Sequence, residues 1–175
     1  MNSLSELTDD IESQLKQFDQ TNNQIATLSG TLESLESDAQ TVRLNPDNLD
    51  LDARVKALTL LTAKIDVIKF DIDALQTQVG QQKKAILAAS ANLRSRCIGE
   101  AAGRAQTRSK EVVDEIGRDF DIKRFPIGVA QVAEAHRSVQ ALRETERALS
   151  TIDSTDETRI AFARRVRTDF LGKLT

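Results

Sequence analysis

One histidine and one cysteine bound the chemistry open to this chain. His136 could serve as the base for a Cys97 thiolate, the pairing that turns a thiol into a nucleophile. That pairing requires the segment around residue 136 to dock on the segment around residue 97. Without it, His136 is a polar residue beside an apolar stripe and Cys97 is a small apolar residue at a helix contact. A single cysteine excludes an internal disulfide, and one His with one Cys cannot assemble a zinc protease or deaminase centre.

Carboxylates are plentiful, but their spacing does not converge. Asp9 with Asp10, Asp47 with Asp50 and Asp52, and Asp66 with Asp71 and Asp73 could be imagined as metal or acid–base groups. Asp66 and Asp73 are seven residues apart and share a helix face, which is the solvated flank of a heptad. The segment around Asp47 and Asp52 lacks the glycine and terminal glutamate of a calcium loop. The Glu-x-x-His pairs of di-iron bundles are missing, as are phosphate-cradling Gly-x-x-x-x-Gly-Lys-Ser/Thr and Gly-x-Gly-x-x-Gly. The expectation is a protein that is not an enzyme and has no catalytic residue, cofactor or metal.

The arginines are the feature that points outward. Residues 1–93 carry 8 Lys/Arg against 14 Asp/Glu, a net of −6; residues 94–175 carry 16 against 13, a net of +3. Thirteen of those sixteen bases are arginine. Arg159, Arg164, Arg165 and Arg167 concentrate near the C-terminal end and are the candidate partner-binding residues. Phosphate binding wants such charges gathered on one face. At 100° per residue, Arg159 and Arg167 fall among Ile160, Ala163, Val166 and Phe170, while Arg164 and Arg165 fall outside. The charges are spread around the helix, and Asp153, Asp156, Glu157 and Asp169 can pair with them. Salt-bridged surface is the plainer reading; nucleic acid, or an anionic partner or lipid, is the alternative.

The elements that must position these groups are helices. Aromatics are 3% of the chain, all Phe, and Gly and Pro number seven and two. A chain so poor in large rings and turn formers favours a few long helices burying narrow seams. Leu4, Leu7, Ile11, Leu15, Phe18, Ile25, Leu28, Leu32, Leu35, Ala39 and Val42 form a stripe mostly at steps of three and four. Asn22 fills the gap after Phe18. Residues 44–52, with Pro46 and a run of Asn and Asp, predict a loop. The following stripe is Leu58, Leu61, Ile65, Ile68, Ile72, Leu75, Val79, Gln82, Ile86, Ala89 and Leu93, alternating three and four without exception. Heptads this regular fit knobs-into-holes packing. Asn22 and Gln82 are polar residues at seam positions, expected to set register or partner choice at some cost in stability, with a water-filled local defect as the alternative.

Two long stripes joined by a short loop predict an all-α fold: a long antiparallel coiled-coil hairpin over residues 1–97, its loop near 44–52. Forty residues at 1.5 Å each would make a rod of about 60 Å. Residues 98–175 are expected to form a small, arginine-rich helical head. In it, Gly99 and Gly103, four apart, suggest a tight helix crossing or a bend. A break falls at 119–128, a third helix spans about 129–150, and a fourth begins after residue 156 with a cap from Thr155 or Ser154. No stretch approaches the ~18 apolar residues of a membrane span, and no basic, apolar-cored secretory signal opens the chain. The implied object is a cytoplasmic, non-enzymatic coiled-coil scaffold or adaptor that acts through protein–protein interaction or assembly. A homo-oligomer, a dimer above all, would cover the thin two-stranded seam. The alternative is a nucleic-acid-associated protein using the arginine-rich half.

Overall fold

A computed structural model describes residues 3–44, 50–118, 125–151 and 155–170. Among the described residues, all but Ser3, Asp50 and Thr155 are α-helical and no strand occurs. The order is α1 (Leu4–Leu44), α2 (Leu51–Arg118), α3 (Phe125–Thr151) and α4 (Asp156–Phe170). The tip of the expected 44–52 loop (residues 45–49), the segment 119–124 and Ser154 lie outside the described residues.

The helix ends follow local hydrogen-bond chemistry. At the start of α1 the Ser3 N–H donates to Glu6 Oε2 at 2.7 Å, and the Glu6 N–H donates to Ser3 Oγ at 3.1 Å. This reciprocal box satisfies two amides that have no partner inside the helix. Asp50 precedes α2, and its carbonyl accepts from the Arg54 N–H at 2.9 Å. The Arg54 guanidinium in turn donates to the Arg43 carbonyl at 2.8 Å, filling an open acceptor at the end of α1. At α4 the Thr158 N–H donates to Thr155 Oγ1 at 3.4 Å, so Thr155 is the cap. α3 begins at Phe125, earlier than residue 129, because Pro126 sits in its first turn. There a missing N–H costs nothing and the fixed φ suits a helix.

α2 runs without a break for 68 residues, so residues 94–118 continue the second helix. The chain divides into two units, Gln14–Lys84 and Met1–Ser13 with Ala85–Thr175, and each takes part of α1 and part of α2.

In the 14–84 unit α1 and α2 pack together. Leu15, Phe18, Ala39 and Ile72 are buried, while Ile25, Leu28, Leu32, Leu35, Leu61, Ile65, Ile68 and Leu75 are half-buried. Half-burial is what a seam between only two helices provides. Cross-helix pairs are Arg43 with Arg54, Glu36 with Lys69 at 2.9 Å and Thr21 with Gln82 at 3.2 Å. Residue numbers fall along α1 as they rise along α2. Threonine hydroxyls on both helices donate back to the carbonyl four residues earlier: Thr27 to Asn23 at 2.9 Å, Thr31 to Thr27 at 3.0 Å, Thr59 to Val55 at 2.9 Å.

The other unit has the fuller core. Leu7, Ile11, Ile86, Leu93, Cys97, Val139, Leu142, Ile160, Val166 and Phe170 are buried, drawn from all four helices. Each such aliphatic or aromatic side chain contributes about 1.5–3 kcal/mol relative to exposure. On α2 the inward line after Leu93 is Cys97, Ala101 and Ala105, at steps of four. The expected close crossing at Gly99 and Gly103 is not there: both are exposed, and a Cβ at either would meet nothing within 4 Å. The close approach lies instead at Gly128, where a Cβ would stand 2.8 Å from Val112 Cγ1. Arg94 ties three helices. Its Nε donates to Glu146 Oε2 at 2.8 Å, its Nη1 to Ser90 Oγ at 3.0 Å, and its guanidinium lies 5.3 Å from the Phe162 ring centroid. Phe162 meets Phe170 edge-on at 6.2 Å.

Candidate functional site

The heptad of α2 that packs on α1 leaves a second apolar face on the same helix. Leu60, Ala63, Val67, Phe70 and Ala74 repeat at steps of three and four and are all exposed. Leu60 is 59% exposed, Val67 61% and Phe70 73%, so three large apolar side chains stand in water along one line. A lone exposed Leu is ordinary; a contiguous line at heptad spacing marks an interaction surface.

Part of this face becomes the wall of a groove between α1 and α2. One stretch, of about 490 Å³, is lined by Thr31 and Leu35 of α1 with Ala63, Lys64, Val67 and Ile68 of α2. Another, of about 570 Å³, is lined by Gln24, Thr27 and Leu28 with Asp71, Ala74 and Leu75. The two stretches are one heptad apart: Thr31 and Leu35 become Gln24 and Leu28, while Lys64, Val67 and Ile68 become Asp71, Ala74 and Leu75. The groove therefore repeats with the period of a packed helix. It is apolar along its floor, with a cation at one end and an anion at the other.

The polar seam positions are placed as follows. Gln82 is half-buried and its Nε2 donates to Thr21 Oγ1, whose own proton goes to the Gln17 carbonyl at 3.0 Å. The Gln82 Oε1 is buried and has no hydrogen-bond partner among the described residues. Asn22 is half-buried, and Thr21 beside it is 4% exposed. Thr21 was missed in the sequence, although Phe18, Thr21 and Ile25 keep the three–four rhythm as well as Phe18, Asn22 and Ile25 do.

Of the candidate arginines, Arg159, Arg164 and Arg165 are exposed on α4; the Arg167 side chain lies outside the described residues. Arg165 lies 3.5 Å from Asp169, the i,i+4 partner expected for a salt-bridged surface. None of Arg159, Arg164 and Arg165 lines the α1–α2 groove or the hollow beside His136.

Cys97 is fully buried, and burial, reinforced by nearby Glu100, pushes its thiol up to about 11. A thiol held that high stays protonated at neutral pH and is a poor nucleophile. His136 is exposed on α3, at the edge of a shallow polar hollow of about 310 Å³ with Arg143, Glu144 and Arg147. Asp66, Asp71 and Asp73 are exposed on α2. Among the described residues, no group of three or more His, Cys, Asp or Glu side chains could hold a metal ion, and no helix is long and apolar enough to cross a membrane. The chain matches no known protein family, no curated protein and no solved structure.

Proposed function

We propose that this protein is a non-enzymatic structural or adaptor protein, which assembles with its partners through helix faces. In this reading residues 1–97 form an antiparallel coiled-coil hairpin and residues 98–175 a helical head. The protein works in the cytoplasm as a homo-oligomer, with a dimer favoured. The observation that carries the reading is the exposed line of Leu60, Val67 and Phe70 on a helix whose heptad stripe is already packed on α1. Keeping such a line in water is unfavourable by about 25 cal/mol per Å² of apolar surface, and a partner helix removes that cost.

The nucleic-acid reading has less support. Arg165 is matched by Asp169, and Arg94 and Arg108 are engaged with Glu146 and Glu111. Charges already neutralised release fewer counterions from a phosphate backbone.

Light scattering on the purified, nuclease-treated chain tests the proposal. The expected result is a mass above the 19.3 kDa of one chain, falling toward it on dilution and insensitive to moderate salt. A single-chain mass at every concentration, with steeply salt-dependent retention of a nucleic-acid duplex, overturns it.

A further inference from the structure

We infer that the occupant of the α1–α2 groove in the 14–84 unit is the α2 helix of a second copy, laid antiparallel about a two-fold axis beside Val67. This rests on the assembly reading above and specifies its partner and geometry.

Two independent features of α2 make the face self-complementary. The first is charge. Lys64 lines one stretch of the groove and Asp71 the other, at equivalent heptad places. Two parallel copies in register would oppose Lys64 to Lys64. An antiparallel two-fold beside Val67 sets Lys64 against the partner's Asp71 and Asp71 against the partner's Lys64. An isologous interface requires this reciprocity: if one residue meets another, the reverse contact is made too.

The second feature is size. The exposed line reads Leu60, Ala63, Val67, Phe70, Ala74: Leu60 and Ala74 stand seven residues either side of Val67, Ala63 four before it and Phe70 three after it, so a large residue on one side has a small counterpart on the other. The same axis places Leu60 beside the partner's Ala74, and Phe70 beside the partner's Ala63. Val67 packs on the partner's Val67. Large residues thus meet small ones on either side of the central valines, which lets the two helices approach closely over a floor made by Leu28, Leu35, Ile68 and Leu75. The charge pairs and the size pairs all centre within about half a residue of Val67, close enough for side chains to serve one axis. An unrelated partner would have to reproduce that coincidence.

The test uses the full chain. Lys64→Asp and Asp71→Lys each oppose like charges twice in a homodimer and are expected to weaken it about tenfold. Mixed in equal amounts, the two variants restore both opposite pairs, and a heterodimer of near wild-type affinity is expected by sedimentation velocity. Val67→Cys in a Cys97→Ala background is expected to form an intermolecular disulfide under mild oxidation, since the axis brings the two positions side by side. Circular dichroism checks that each variant keeps its helix content. A dimer that ignores both charge variants and fails to cross-link at residue 67 overturns the inference but leaves the assembly reading standing. A single-chain mass for the wild type overturns both.

Discussion

Gln82 on α2 donates its side-chain amide to the Thr21 hydroxyl on α1, and its own carbonyl oxygen is buried with no donor among the described residues. The seam therefore gains one cross-helix hydrogen bond and carries one unmet acceptor. An unmet buried acceptor costs about 1–3 kcal/mol, and the bond returns about 1. Gln82→Leu is expected to raise stability by about 1 kcal/mol, a rise of about 2–4 °C in Tm for a chain of this size. Thr21 stays satisfied in that variant through its bond to the Gln17 carbonyl. If Gln82 also sets register, the variant's oligomer distribution broadens in sedimentation; an unchanged distribution sinks that role.

Arg94 gives the clearest prediction for the other unit. Its loss leaves Ser90 Oγ, on a residue 1% exposed, without its donor, and removes the ion pair to Glu146 and the packing over Phe162. Arg94→Ala is expected to cost about 2–3 kcal/mol in urea unfolding. Arg94→Lys keeps the charge but not the forked geometry and recovers less than half of this. Because Glu146 is 41% exposed, a double-mutant cycle between the two should give a coupling of only about 0.5–1 kcal/mol.

The helical glycines divide by surroundings. Gly99→Ala and Gly103→Ala add a methyl into open space and should each stabilise by up to about 1 kcal/mol, from helix propensity alone. Gly128→Ala adds it 2.8 Å from Val112 Cγ1, and Val112 is a stiff, buried, β-branched side chain. Overpacking of about 1–3 kcal/mol then outweighs the propensity gain. Adding Val112→Ala to Gly128→Ala should make the second change less costly than it is alone; purely additive melting shifts would show that the two residues are not in contact.

Cys97 carries a pH signature. Its folded value near 11 lies above the ordinary 9.0, so the folded state holds the proton where the unfolded chain has released it. The stability this provides is complete below pH 9 and declines as pH rises from 9 toward 11. Stability measured across that window should fall more steeply for the wild type than for Cys97→Ala. A thiol reagent at pH 8 should modify the native chain only as fast as the unit opens; immediate, stoichiometric modification would contradict burial.

How far the sequence anticipated this arrangement depended on how strongly local signals outvoted their rivals. The stripe from Leu58 to Leu93 was legible because alternation sustained over so many turns has no other cheap explanation; all its members are buried or half-buried. The start of α3 was not, since Pro126 and Gly128 read as punctuation, whereas a first-turn proline is compatible with a helix and Gly128 is needed for close approach to Val112. Between residues 97 and 105 so many side chains are small that composition could not choose the inward phase. Cys97, Ala101 and Ala105 face inward, and Gly99 and Gly103 do not. The second apolar line through Leu60, Val67 and Phe70 was present in the same helix but overshadowed by the cleaner stripe one residue away. The role of Arg94 was not legible at all, because nothing local reveals that residues 52 and 68 positions later fold back to receive it.

The threonines that donate to their own helix have a bearing on solvent. Thr27 and Thr31 stand on the groove wall with their hydroxyl protons already committed to Asn23 and Thr27 carbonyls. A helix settling there strips water from side chains that keep their donors' bonds throughout. These two hydroxyls are therefore inexpensive to dry: they keep the groove edge wettable in the free chain and still let it close over an apolar ridge.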